Sequence, residues 1–383
     1  MRKTPEQLEQ IKKKFNVSQL FSWSRYNCYK NSIFEYYLKY ILKIKEDRDD
    51  GIYGISGNAC HTILEGLYSK EIKYENMLQE YEDALFTFKA GELKYDRCNK
   101  EKNDAIANKY EACIKHFFQN HTVINKKLEL EKFITIKINS FIFQGYVDAI
   151  HKEDDYFIIS DWKSSSIYTG KKIDKEKGQL ILYTEGIRQL GIPLEKIKAR
   201  WNFLKYVMVE VQQANGKSTE RNIVRTEIGE SLKSNAKMWL TKAKCYTEEE
   251  IDSYLDLLES TNDINNLPED IKIKYKISDC YVYIPITEEA IDSLKSDIVD
   301  TIACIGKKEI EYFKTKDERI WWEEVTDGQS YYFANLSGYS AKLNKPYGEY
   351  LEKLNAKKEL NKDSFIKDDS KIVEDDLSWL EQL

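Results

Sequence analysis

Two carboxylates and a lysine fall close together near the middle of this 383-residue sequence, in Gly145-Tyr-Val-Asp148 and Ile158-Ile-Ser-Asp161-Trp-Lys163. Side chains alternate along an extended chain, so Asp161 and Lys163 share one face, about 7 Å apart along the strand. Carboxylates converging on one point suit a hard divalent cation such as Mg²⁺ or Mn²⁺. A lysine beside them is a poor metal ligand, but it can orient or help deprotonate a water and offset charge on a phosphate. Asp-X-Lys also arises as a cross-strand charge pair on a solvated face. Against that, Tyr156, Phe157, Ile158 and Ile159 make this strand apolar on both sides. Such a strand belongs in the middle of a sheet, where an unpaired Asp and Lys are costly unless they serve a site. Further on, Gln179 and Tyr183 lie four apart and share one helix face.

The elements that must position these residues read as follows. Residues 5–120 are mostly helical, with Phe34, Tyr37, Leu38 and Ile41 at spacings of three and four. Gly51, Gly54 and Gly57 interrupt this pattern before a helix that begins near Asn58. From Lys126 the period becomes two: Leu128, Leu130, Ile134, Ile136 and Ile138 take one face, and Glu129, Glu131, Thr135 and Lys137 the other. With turns at Asn139-Ser140 and Asp154-Asp155, strands over 128–138, 141–150 and 156–163 form an antiparallel meander. A helix over 175–190 closes at Gly191 and Pro193. Ala199–Gln212 is strand-like and 214–222 a polar loop. Helices over 225–262 and 286–313 enclose a short strand over 280–286. The economical fold is one α/β domain, a mixed central sheet flanked by helices with helical embellishments at both ends. Its boundaries are 1–362, divided into a helical region over 1–120, a catalytic core over 121–212 and a C-terminal region over 213–362.

Composition narrows the class. No apolar run is long enough to span a bilayer, and nothing after Met1 reads as a secretory signal. Seven cysteines, an odd number without a CxxC pair, argue against a disulfide framework and for a reducing cytoplasm. The net charge is −6, but residues 363–383 alone carry −5, so the body is close to neutral and can hold a basic groove beside an acidic metal site. This acidic tail is expected to be flexible. Its segment Asp368–Leu383, with Leu377, Trp379 and Leu380 among acids, also suits docking to a protein partner. The chain has no G-x-x-x-x-G-K-[ST] motif, so any ATPase is a separate protein.

In order, the sequence offers Phe21-Ser-Trp-Ser-Arg25, Gly57-Asn-Ala-Cys-His61, Gly145-Tyr-Val-Asp148, Asp161-Trp-Lys163 and Gln179-Leu-Ile-Leu-Tyr183. The ordered set resembles the RecB-type branch of the PD-(D/E)XK nucleases, which includes nuclease domains of bacterial recombination helicases and small nucleases of CRISPR adaptation. The resemblance implies a restriction-endonuclease-like fold and phosphodiester hydrolysis. It implies that His61, Asp148, Asp161 and the backbone carbonyl of Trp162 bind Mg²⁺ or Mn²⁺, and that Lys163 positions the attacking water. Gln179 and Tyr183 would brace Lys163 or touch the DNA backbone. Glu131 is a further candidate ligand, with Glu129 on the same face. Arg25 is a candidate phosphate contact. Without the family order, His61 reads as a buried histidine bonded to Glu65, and His116, His121 and His151 show no ligand spacing.

One departure stands out. Many relatives hold an iron–sulfur cluster on four cysteines. Here Cys28 remains, but the matching C-terminal segment, Tyr332 to Tyr339, has none, so no cluster is expected. Packing must then join the two ends of the chain. The sequence-level reading is a cytoplasmic, metal-dependent DNA exonuclease of bacterial or phage recombination, repair or replication, acting on single-stranded DNA or duplex ends. Its alternatives are a structure-specific endonuclease or nickase on the same fold, and a non-catalytic DNA-binding assembly module.

Overall fold

The computed structural model describes residues 2–364; the tail segment Asp368–Leu383 lies outside them. The N-terminal region is helical, as its periodicity predicts. After α1 (Pro5–Phe15), a two-residue strand β1 (Phe21–Ser22) leads into α2 (Trp23–Asn31), where the Ser22 hydroxyl caps the helix by accepting from the Arg25 N–H. Then come α3 (Ile33–Tyr36) with a π-helical turn over Tyr37–Ile41, α4 (Ile52–Ser69), α5 (Met77–Ala90) and α6 (Lys100–Asn120). The expected glycine interruption is not there: α4 starts at Ile52 and runs through Gly54 and Gly57. It buries Ile52, Ser56, Cys60, Ile63 and Leu64, and that burial outweighs a cost of about 1 kcal/mol per internal glycine.

The meander forms as expected, from β2 (Leu128–Ile138), β3 (Phe141–Glu153) and β4 (Tyr156–Lys163) in antiparallel register. The single apolar face assigned to β2 does not persist along its length. Leu128 and Leu130 pack with α4, α5 and α6, whereas Ile134, Ile136 and Ile138 join a separate core. Between the two sets stands Glu131, at φ 43°. A left-handed residue inside a strand rotates the chain, so strict alternation carried across it misassigns one end.

Where one helix was expected over 175–190, there are two, α7 (Lys171–Glu176) and α8 (Gly178–Arg188). A Cβ at Gly178 would sit 2.2 Å from the Trp23 ring, so the backbone is pressed onto that indole. β5 (Ile197–Gln212) runs parallel to β4 and carries Phe203 beside Lys163. The expected loop over 214–222 is partly a strand: β6 (Ser218–Val224) folds back on β5 through a turn with Gly216 at φ 79°. Its residues are nearly all exposed, so it has no apolar alternation to betray it; the turn signal Asn215-Gly216 was the available clue. The stretch 225–262 divides into α9 (Ile228–Ala243) and α10 (Glu248–Thr261), followed by the single turn α11 (Glu269–Lys272). β7 (Tyr275–Ile284), earlier than expected, pairs antiparallel with β5, and α12 (Glu288–Thr315) and α13 (Lys345–Ser364) follow.

The result is a seven-stranded mixed sheet in the order β1-β3-β4-β5-β6, with β2 on β3 and β7 on β5. One core holds α8 and α12 against it, and another holds α4, α5 and α6. β4, the strand of Asp161 and Lys163, is central, as its apolar faces require. The N-terminal helices and the segment that follows α12 are joined by packing and hydrogen bonds. The Tyr36 and Tyr37 rings stack on Trp321 at 6.0 and 5.7 Å. Buried Glu35 accepts from the Tyr332 hydroxyl at 2.7 Å and from Ser337. Trp321, Phe333 and Tyr339 are buried core aromatics. Among the described residues no helix is long and apolar enough to cross a membrane.

Candidate active site

Three regions bring the candidate residues together: α4 supplies His61, β3 and β4 supply Asp148, Asp161 and Lys163, and α8 supplies Gln179 and Tyr183. The close approach of α8 to the sheet depends on Gly145, where a Cβ would lie 2.5 Å from the Tyr183 ring. The glycine three residues before Asp148 thus makes room for the tyrosine that closes the site.

Asp148 and Asp161 are both buried, 8 % and 3 % exposed. Asp148 Oδ2 accepts from the Trp162 N–H at 2.9 Å and lies 3.6 Å from His61 Nδ1. Asp161 Oδ2 has the Lys163 ammonium 2.7 Å away and no further hydrogen bond. Burial first, and then the neighbouring Asp161 charge, push the Asp148 carboxyl up to about 7. Burial also disfavours the charged form of Lys163, but Asp161 outweighs it and holds the ammonium above its ordinary value. Lys163 donates to Gln179 Oε1 at 3.5 Å, and Gln179 Nε2 donates to the Tyr183 hydroxyl at 3.1 Å. Gln179 and Tyr183 therefore brace the lysine from one face of α8, as their spacing predicts. Burial pushes the Tyr183 phenol up to about 12, so it acts here as a neutral hydrogen-bonding group.

His61 does not pair with Glu65. Its Nε2 lies 2.9 Å from the carbonyl oxygen of Trp162, the residue that follows Asp161. Glu131 falls across the ladder from Asp148, between the pairs Leu130–Ala149 and Lys132–Val147. Its side chain is 13 % exposed and lies 3.5 Å from Arg2, whereas that of Glu129 is 57 % exposed and paired with Lys132. Glu65 joins the same neighbourhood: burial and then Glu131 raise its carboxyl above the ordinary range. Only its i+4 spacing from His61 hinted at this. Arg25 stands apart, its guanidinium donating to the Tyr36 hydroxyl at 2.8 and 3.0 Å and to Gln19 at 3.0 Å.

The donors present fit a hard divalent cation. Two crowded, under-bonded carboxylates, a carbonyl and an imidazole converge, and a cation would relieve the repulsion that raises Asp148. Among the described residues no three His, Cys, Asp or Glu side chains are arranged so that they could hold a metal ion by themselves. The Trp162 carbonyl and His61 satisfy each other, and Lys163 holds Asp161. A cation held there would have to exchange these contacts for coordination.

No curated protein matches the sequence. The family model of the PD-(D/E)XK nuclease superfamily matches residues 20–280, which include β1 to β6, the start of β7 and every candidate residue named above. The mixed sheet between helices is the fold that this family implies. The chain belongs to the PD-(D/E)XK nuclease superfamily.

Proposed function

We propose that this nuclease is a divalent-metal-dependent deoxyribonuclease of the RecB type, an exonuclease of bacterial or phage DNA recombination, repair or replication that works in the cytoplasm. The single observation carrying this reading is the pair of buried carboxylates, Asp148 and Asp161, held beside an ammonium braced by Gln179 and Tyr183. Asp148, Asp161, His61 and the Trp162 carbonyl would hold Mg²⁺ or Mn²⁺, with Glu131 across the ladder. When bound, the ion would polarise the scissile phosphate and lower the pKa of a water. Lys163 is a fixed cation that orients the water and offsets charge developing on phosphate oxygens. Gln179 and Tyr183 keep it from swinging away. The nuclease domain spans 1–362, and the acidic segment Asp368–Leu383 docks a protein partner. Deleting residues 364–383 should abolish that association and leave hydrolysis intact.

The test uses end-labelled linear and covalently closed circular DNA, single- and double-stranded, with Mg²⁺ or Mn²⁺, beside Lys163→Ala. Loss of linear DNA alone, abolished by the substitution, is the expected result and gives polarity from the label. Cutting of circles would replace the exonuclease by an endonuclease. DNA binding without cleavage by either protein would leave a non-catalytic module.

A further inference from the structure

Lys205 is a partly exposed cation that the hydrolytic site does not use. It lies on β5 two residues beyond Phe203, the register partner of Lys163. It is therefore about 7 Å further along β5, just beyond the point where β4 stops. Its ammonium donates to Ser166 Oγ at 3.3 Å and lies 5.4 Å from the centre of the Tyr110 ring. Among the described residues it has no carboxylate partner. Lys109 beside it is neutralised by Glu227 at 2.5 Å, so that acid is already taken. Lys172, exposed over the Tyr168 ring, adds a second positive charge to the same neighbourhood. An ammonium beside two further lysines, without a counter-charge of its own, attracts an anion.

The surrounding loop is built of hydroxyls. Ser164, Ser165 and Ser166 follow Lys163 directly and are all partly exposed. Ser164 packs against α4 at Gly57, one helical turn before His61. Ser165 donates to the Tyr168 hydroxyl at 3.3 Å. We propose that Lys205, with Lys172 and the 164–166 loop, forms a subsite for a phosphate group of the substrate strand next to the scissile one. This inference rests on the nuclease reading. The ammonium supplies donors to phosphate oxygens, and a phosphate would compete for the serine hydroxyls, of which Ser165 donates to Tyr168 and Ser166 accepts from Lys205. Burial, against the nearby Cys113 and together with Lys109 and Lys172, lowers the Lys205 ammonium to about 8. An arriving phosphate would favour the charged form further.

The experiment measures binding of labelled single-stranded oligodeoxythymidylate, unphosphorylated or carrying a terminal phosphate, to the full chain in EDTA over a KCl series. Wild type, Lys205→Met and Lys205→Arg are compared, with melting followed for each. Lys205→Met should bind about tenfold more weakly, with the log–log salt slope reduced by about 0.7, as for one lost phosphate contact on a single strand. Lys205→Arg should keep most of both. A deficit seen only with the terminal phosphate assigns the subsite to a strand end; one seen with every oligonucleotide assigns it to an internal phosphodiester. An unchanged slope in a stably folded Lys205→Met overturns the proposal. Should that variant not fold, wild-type protein decides: the oligonucleotide must protect Lys205 from amine acetylation, read by mass spectrometry, and absence of protection also overturns it. If wild type neither binds nor cuts DNA, the nuclease reading itself fails.

Discussion

Two histidine–aspartate pairs of this molecule are built to opposite ends. His121 and Asp279 lie 2.7 Å apart, and Asp279 also accepts from Arg225 at 2.6 Å and from the Thr122 N–H at 3.1 Å. Burial alone would raise that carboxyl, but the bonds from His121 and the charge of Arg225 hold it below the ordinary range. His61 and Asp148 lie 3.6 Å apart, Asp148 has one backbone donor, and its carboxyl is pushed up to about 7 by burial and Asp161. Both pairs use the same residue types, with the aspartate buried in each. The first is satisfied within the protein and can only stabilise. The second keeps bonding capacity and unfavourable charge in reserve, which a cation can exploit.

Neutralising one aspartate in each pair tests this contrast most sharply. Asp148→Asn should lower hydrolysis about 10³-fold or more, several kcal/mol of transition-state stabilisation. Its thermal stability at neutral pH should equal or exceed the wild type's, because a repelled carboxylate becomes an amide that still accepts from Trp162. Asp279→Asn should do the reverse, costing about 3–5 kcal/mol of stability because Arg225 is left buried without its partner. Purified Asp279→Asn that remains folded should hydrolyse DNA nearly as well as wild type. Parallel denaturant titrations and turnover measurements check both; a large stability loss in Asp148→Asn would show that it too is a structural pair.

The two regions also differ in how far the sequence betrays them. Asp148, Asp161 and Lys163 sit on short strands whose alternation and turns are local, so the meander and the meeting of these side chains could be read directly. His61 could be read only through the order of motifs, because its partner is a backbone carbonyl 101 residues away. Glu131 could not be separated from Glu129, since that depends on a single left-handed residue that rotates the strand. The His121–Asp279 contact spans 158 residues, and no local pattern encodes it. Lys205 was hidden for the same reason: one lysine among 59 basic residues acquires meaning only from what fails to neutralise it.

Acid should act on the satisfied region in two steps. His116 accepts from Arg225 at 3.4 Å, and burial, helped by Arg225, lowers its imidazole to about 4 from 6.5. Between those values the unfolded chain binds a proton that the folded one refuses. The contribution of His116 is thus complete above pH 6.5 and is lost as pH falls toward 4, by no more than about 3 kcal/mol. Asp279, whose folded value is depressed, gives up its share only below 3.8, as pH falls through that lowered value. His116→Gln should remove the upper step and leave the lower. Chemical denaturation at a series of pH values reads both, and an unaltered upper step would place the acid sensitivity elsewhere.

The smallest effect concerns a ring that touches both regions. Tyr68 stacks on Trp162, with centroids 6.4 Å apart and planes within 8°. Its hydroxyl is 2.9 Å from His121 Nε2 and accepts from the Ile124 N–H at 3.2 Å. Trp162 in turn carries the N–H that binds Asp148 and the carbonyl that holds His61. Tyr68→Phe keeps the ring but leaves a histidine nitrogen and a backbone N–H short of a partner, so stability should fall by about 1–2 kcal/mol. Turnover should stay within about twofold of wild type, because the surface supporting Trp162 is unchanged. Tyr68→Ala removes that support and should lower turnover as well as stability, through a Trp162 backbone no longer held against Asp148 and His61. A Phe variant that lost turnover in step with the Ala variant would mean that the hydrogen bonds of the satisfied pair, and not the packing between the two, set the geometry of the hydrolytic site.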